Sequence, residues 1–116
     1  MIAVKKEAIS KEAVDAWFSE WQAQEARIHE AHSQRDKAAK TLMEEAIQHY
    51  EQFVQQASDT TAPFDLHAQY ELLPINGNER LQFVKMRPGQ YACYRQLDEL
   101  FIETKKRCAR LRLKKS

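Results

Sequence analysis

Residues 78–101 read NERLQFVKMRPGQYACYRQLDELF, two helical patterns joined at Arg87-Pro88-Gly89 in a chain of 116 residues with only two glycines and three prolines. Proline disfavours helical geometry in the residue before it, so Pro88 ends the first pattern at Arg87. A proline is tolerated in the first turn of a new helix, where its missing amide would have no partner anyway. Beyond it, Cys93, Tyr94, Leu97, Leu100, Phe101, Thr104, Cys108 and Leu111 recur at helical spacing as a single stripe, which predicts a long last helix reaching about Leu113. Upstream, Ile75-Asn76-Gly77 reads as a turn, and Asn78 is placed to cap a helix over 79–86. An Asn-Gly pair also suits a β-hairpin, but its flanks do not alternate.

Outward toward the N-terminus the same reading repeats. Ser10 is a capping residue, and Glu12 and Asp15 suit the positive end of a helix dipole. Val14, Trp17, Phe18, Trp21 and Ile28 fall within about 100° of one another at helical spacing, which predicts a helix over 11–32. Residues 33–36 allow two readings. They are a short break with Ser33 as cap and Asp36 in the first turn, or the middle of one continuous helix, since neither glycine nor proline interrupts them. The next stripe, from Ala39 through Tyr50 to Ala57, covers about 140°, wide enough to touch two neighbours. Residues 58–63 are a loop. Phe64, Leu66, Tyr70 and Leu73 suggest one or two helical turns, ended by Pro74. The expectation is an all-α fold: a small bundle of about four helices, with two long N-terminal helices, short connecting helices and a long C-terminal helix. It forms one helical domain over 1–116 with a basic C-terminal tail at 105–116.

Composition limits the function classes. With 43% hydrophobic and 30% charged residues the chain has the balance of a soluble globular protein. No apolar run is long enough to span a bilayer, and the first residues lack the basic-then-apolar order of a secretion signal. A cytoplasmic protein with no membrane partner is expected. Cys93 and Cys108 lie fifteen residues apart on one helix. That is ~22 Å at the helical rise, too far to pair, so both read as small apolar fillers. The net charge of +1 is uneven, since Lys105, Lys106, Arg107, Arg110, Arg112, Lys114 and Lys115 put seven cations in the last twelve residues.

Catalytic constellations are hard to find. His29 and His32 share a helix face with Glu25, but the zinc-protease pattern needs His-Glu-x-x-His. Di-iron bundles need Glu-x-x-His, and no histidine here follows a glutamate at that spacing. The serines lack a nucleophile elbow, and two glycines cannot build a phosphate-cradling loop. Glu44-Glu45 and Asp98-Glu99 read as solvated helix surface. No catalytic residue, metal or cofactor is expected. The aromatics Trp17, Phe18 and Trp21 read as core rather than as a base-stacking platform.

Two features remain for binding. Tyr91, Ile102 and Leu113 recur every eleven residues, about three turns, on a face opposite the main stripe. Either the last helix is sandwiched between two others, or this face meets a protein partner or a second copy. The candidate partner-binding residues are Arg87, Tyr91, Arg95 and Ile102. The other feature is the tail, whose seven cations are candidates for nucleic-acid binding through phosphate neutralisation. They scatter around the helix axis without interleaved aromatics, and a helix C-terminus favours cations in any case, so a solubilising end is the competing reading.

The succession Glu79-Arg80-Leu81-Gln82-Phe83, Arg87-Pro88-Gly89-Gln90-Tyr91, Tyr94-Arg95-Gln96-Leu97 and Glu99-Leu100-Phe101 resembles the closing segment of the YpoC-like family of small bacterial helical proteins. It covers about the last third of the chain, and the likeness upstream is loose, a Trp-rich first helix and an amphipathic second. The resemblance implies a helical fold and a bacterial cytoplasm, with no catalytic residue or cofactor to carry over. Members of the family are often encoded near DNA replication and repair genes, which implies a link to nucleic acids. The functional expectation is a non-enzymatic interaction or adaptor protein, the alternative being a nucleic-acid-binding accessory protein that uses the basic C-terminal helix.

Overall fold

Ser10 opens the first long helix, α1 (Lys11–Ser33), by accepting the Ala13 amide on Oγ at 3.1 Å in this computed structural model, which describes residues 1–114. The helix stops at 34–37 without glycine or proline. Arg35 takes a left-handed conformation (φ 54°), and Asp36 Oδ1 accepts the Ala38 amide at 2.9 Å. The break is therefore real, but Ser33 is still inside α1 and caps nothing. Lys37 is the N-cap of the next helix without a side-chain bond, and Asp36, one residue earlier rather than in the first turn, takes the Ala38 amide. The chain then reverses into α2 (Ala38–Gln56). A short helix, α3 (Gly77–Met86), and the long α4 (Tyr91–Leu113) follow. Pro88 lies in the turn between them rather than in the first turn of α4, since Gln90 is still extended (φ −85°, ψ 143°).

The last helix is the hub: α4 packs against α1, α2 and α3, and α1 packs along α2. Cross-contacts give the directions. Trp21 meets Phe101 and Glu25 meets Tyr94, so α1 and α4 run antiparallel. Trp17 stacks on Phe53 and Gln24 reaches His49, so α1 and α2 are antiparallel as well. The centre of the core is aromatic. Trp21 lies parallel to Phe101 with centroids 4.2 Å apart, Trp17 stacks on Phe53 at 4.1 Å, and Tyr50 meets Phe101 edge-on at 5.1 Å. Fully burying each such ring stabilises the fold by roughly 1.5–3 kcal/mol. The one buried hydroxyl pair at this centre, Tyr50 Oη with Thr104 Oγ1 at 2.7 Å, satisfies both groups.

Polar contacts hold α3 in place. Arg80 donates two hydrogen bonds to Glu103, at 2.9 and 2.5 Å, and with its amide oxygen turned toward Arg80, Gln96 takes the Nε–H at 2.8 Å. Gly77 is tightly placed, because a Cβ there would stand 3.0 Å from the Leu73 Cβ.

Two departures from expectation share one cause. The segment at 64–73 forms isolated turns, such as Ala68 N–H to Asp65 O at 3.1 Å, rather than helix. Asn78 does not cap α3, which begins at Gly77 behind a left-handed Asn76 (φ 56°). Instead Asn78 Nδ2 donates to the carbonyls of Leu66 and Ala68 at 2.6 and 2.7 Å. Those carbonyls would have served a helix as acceptors, so the long-range bonds replace local ones. The N-terminal residues complete the exchange. The Ile2 amide donates to Gln69 O and the Glu71 amide to Ile2 O, while Lys5 and Asp59 amides pair with Ala57 and Ala3 carbonyls. A short extended arm thereby bridges both ends of the connecting segment, and it leads to a fully buried Ile9.

Candidate interaction surface between the first and last helices

The structure divides the four candidate partner-binding residues between two places. Arg87 is exposed in the turn before α4, and Tyr91 opens the helix with about half of its surface in solvent. The Tyr91 ring stands edge-on to His32 at 5.4 Å and to Tyr94 at 5.5 Å. Arg95 lies over the Tyr94 ring, 5.7 Å from its centroid, and 3.4 Å from Asp98. Ile102 is three turns away, ~16 Å along the helix, and half-buried.

The Tyr91 end is a finished cluster. Tyr94 is buried and donates its hydroxyl to Glu25 Oε2 at 2.5 Å. Burial first, and then this bond to a carboxylate, push the phenol up to about 12, so it stays protonated. His32 stacks on the same ring at 5.6 Å, and burial, aided by His29, lowers its affinity for a proton. Its buried Nε2 has no hydrogen-bond partner among the described residues. Glu25 thus serves Tyr94 rather than either histidine, and no three His, Cys, Asp or Glu side chains converge as a metal set among the described residues.

Ile102 belongs to a different feature, an open groove of about 500 Å³ between the N-terminal half of α1 and the C-terminal half of α4. Its floor is apolar, made by Val14, Phe18, Ile102 and Ala109. Leu113, one turn past Ala109, continues the stripe and is 85% exposed. The rim carries Lys11, Lys105, Lys106 and Arg112 against one carboxylate, Asp15. Asp15 accepts from Lys11 Nζ at 2.7 Å and lies 3.9 Å from Lys105 Nζ, and the Lys11 hydrogen bond is the main cause of its lowered pKa. The Lys105 ammonium also sits 4.5 Å above the Phe18 ring. Phe18 was expected in the core. It lies at the edge of the α1 stripe, and periodicity alone cannot separate an edge position that packs from one that lines a groove.

The basic tail is largely used within the molecule. Arg107 Nε donates to Glu71 O at 2.6 Å, Arg112 to Ile9 O at 2.9 Å, and Lys114 Nζ lies 3.4 Å from Glu71 Oε2. Glu71 also accepts the Val4 amide at 3.0 Å, the leading cause of its lowered pKa. These cations fasten the N-terminal arm and the connecting segment to α4. Lys106 and Arg110 are exposed, and Lys115 lies outside the described residues.

Fold and surface together define a small all-α bundle whose open features include an apolar groove with a cationic rim and an exposed tyrosine at one helix end. The chain belongs to the YpoC-like protein family, whose match extends over residues 11–116. It is 51% identical over 37 residues to the uncharacterized protein YpoC of Bacillus subtilis (strain 168), a stretch covering 32% of this chain and 23% of that relative. The chain therefore matches less than a quarter of the relative's length. No solved structure matches it. No helix among the described residues is long and apolar enough to cross a membrane.

Proposed function

We propose that this protein is a non-enzymatic, cytoplasmic interaction module that receives a protein partner against the α1–α4 face. One observation carries the reading. Beside an otherwise well-packed core, the groove leaves Phe18 and Ile102 only half-buried, with Leu113 exposed beyond them. Contiguous apolar surface rimmed by polar groups is the usual mark of a contact site. The competing role, nucleic-acid binding by the tail, has less support, because the tail cations scatter around the helix axis without interleaved aromatics, and Arg107 and Lys114 are held at Glu71.

A photo-crosslinking residue placed at Ile102 in the native host tests the proposal, with the same residue at exposed Glu44 as control. The expected result is a protein adduct from position 102 and none from position 44. Adducts with nucleic acid, or none at all, would reject it.

A further inference from the structure

We infer that the α1–α4 groove takes an acidic amphipathic helix of a partner protein, an inference that rests on the interaction reading above. Shape, apolarity and charge each restrict the occupant. The α4 wall runs from Ile102 to Arg112, ~15 Å, which matches three turns of a helix. Two antiparallel helices form the walls, and a third helix can lay a ridge of side chains into the trough between them. Phe18 and Ile102 on the floor call for an apolar stripe at i, i+3, i+4 and i+7, the usual helix-in-groove mode. Four cations against a single carboxylate on the rim call for acidic residues flanking that stripe.

Asp15 indicates where such a carboxylate would sit. Its two oxygens face Lys11 at 2.7 Å and Lys105 at 3.9 Å, so it already occupies the place a partner's Glu or Asp would take. Removing its charge frees both ammonium groups for the partner. Duplex DNA would use the rim but has no use for the apolar floor, and a bilayer surface favours a protruding wedge over a concave trough.

The probe is a labelled synthetic peptide of about four turns, with Leu at i, i+3, i+4 and i+7 and Glu beside the stripe, followed by fluorescence anisotropy with the full chain. Comparison probes are the same peptide with Lys for Glu, an order-scrambled acidic peptide, duplex DNA, and vesicles of phosphatidylglycerol. The acidic amphipath is expected to bind at least about tenfold more tightly than the Lys version or the scrambled one. Ile102→Glu should weaken it by about tenfold or more, and Asp15→Asn should tighten it several-fold. Lys105→Glu with Lys106→Glu should reverse the preference toward the Lys peptide, circular dichroism confirming that the variant is folded. The inference is overturned if the scrambled peptide binds as well. It is equally overturned if only DNA or vesicles bind, or if the groove is filled by self-association seen in sedimentation. Protein adducts at position 102 without a preference for the acidic peptide would sink this inference and leave the interaction reading standing. Absence of adducts would sink the reading itself.

Discussion

The two flanks of α4 have opposite fates. Toward Trp17 and Trp21 of α1, and toward α2 and α3, it is closed: Phe101 lies among Trp17, Trp21 and Tyr50, Thr104 satisfies Tyr50, and Glu103 holds Arg80. Toward the α1 face that carries Lys11, Asp15 and Phe18 it is open, and Ile102, the very next residue after Phe101, lies on the floor of a groove. A helix turns about 100° per residue, so adjacent positions can serve folding and binding without competing. The packed and the open faces of α4 are separated by rotation around one axis rather than by distance along the chain.

Substitution on the closed side should give the largest effect. Phe101→Ala removes the ring that Trp17, Trp21 and Tyr50 share, and should cost about 3–5 kcal/mol in denaturant unfolding, enough to unfold a small domain in part. Thr104→Val comes next, since it keeps the shape but leaves the buried Tyr50 hydroxyl unpaired, a loss of about 1–3 kcal/mol. If Thr104→Val were neutral, the closed side would depend on packing alone.

Acidity should produce a smaller change. Burial lowers the pKa of His49 and of His32 below 6.5, with Glu20 opposing the shift at His49. The unfolded chain then takes up protons first as pH falls. Stability is fully present above about 6.5 and is lost progressively as pH falls through that value toward the folded pKa values. Melting temperature should be lower at pH 5.5 than at pH 7.5, and His49→Gln should flatten that dependence. A profile that rises toward pH 5.5 would show that the Glu20 carboxylate, 3.0 Å from His49 Nε2, dominates.

The smallest stability changes are expected at the two exposed or half-exposed positions of α4, one in the groove and one in the aromatic cluster. Ile102→Ala and Tyr91→Ala should each shift stability by no more than about 0.5–1.5 kcal/mol, with Ile102 at the upper end because it is half-buried. Ile102→Ala should nevertheless weaken partner association, whereas a loss of fold comparable to Phe101→Ala would make the groove an extension of the core.

Much of the fold was legible because amphipathic spacing, Ser10 and the Arg87-Pro88-Gly89 turn are local signals. The bounds of α1, α2 and α4 fall within a few residues of what spacing predicts. Asn78 does not act as its capping propensity predicts, because its side chain bonds carbonyls ten and twelve residues earlier, and propensity describes only the local alternative. The N-terminal arm carried no periodic signal at all. Its order comes from backbone pairing with the ends of the connecting segment. The eleven-residue spacing of Tyr91 and Ile102 is visible in the chain, but their separation into a finished aromatic cluster and an open groove is not.

The amino-acid order alone determined where the long amphipathic helices lie, that Pro88 separates the last two, and which faces are apolar, because each of those follows from the 3.6-residue period and from steric rules acting on neighbours. The break at 34–37 was settled only by the structure. Tertiary structure decided which apolar face stayed uncovered, which tail cations were taken up by Glu71 and Ile9, and which carboxylate met Tyr94. Those outcomes depend on contacts between residues tens of positions apart, and no local pattern states which distant surface will arrive to cover a given stripe.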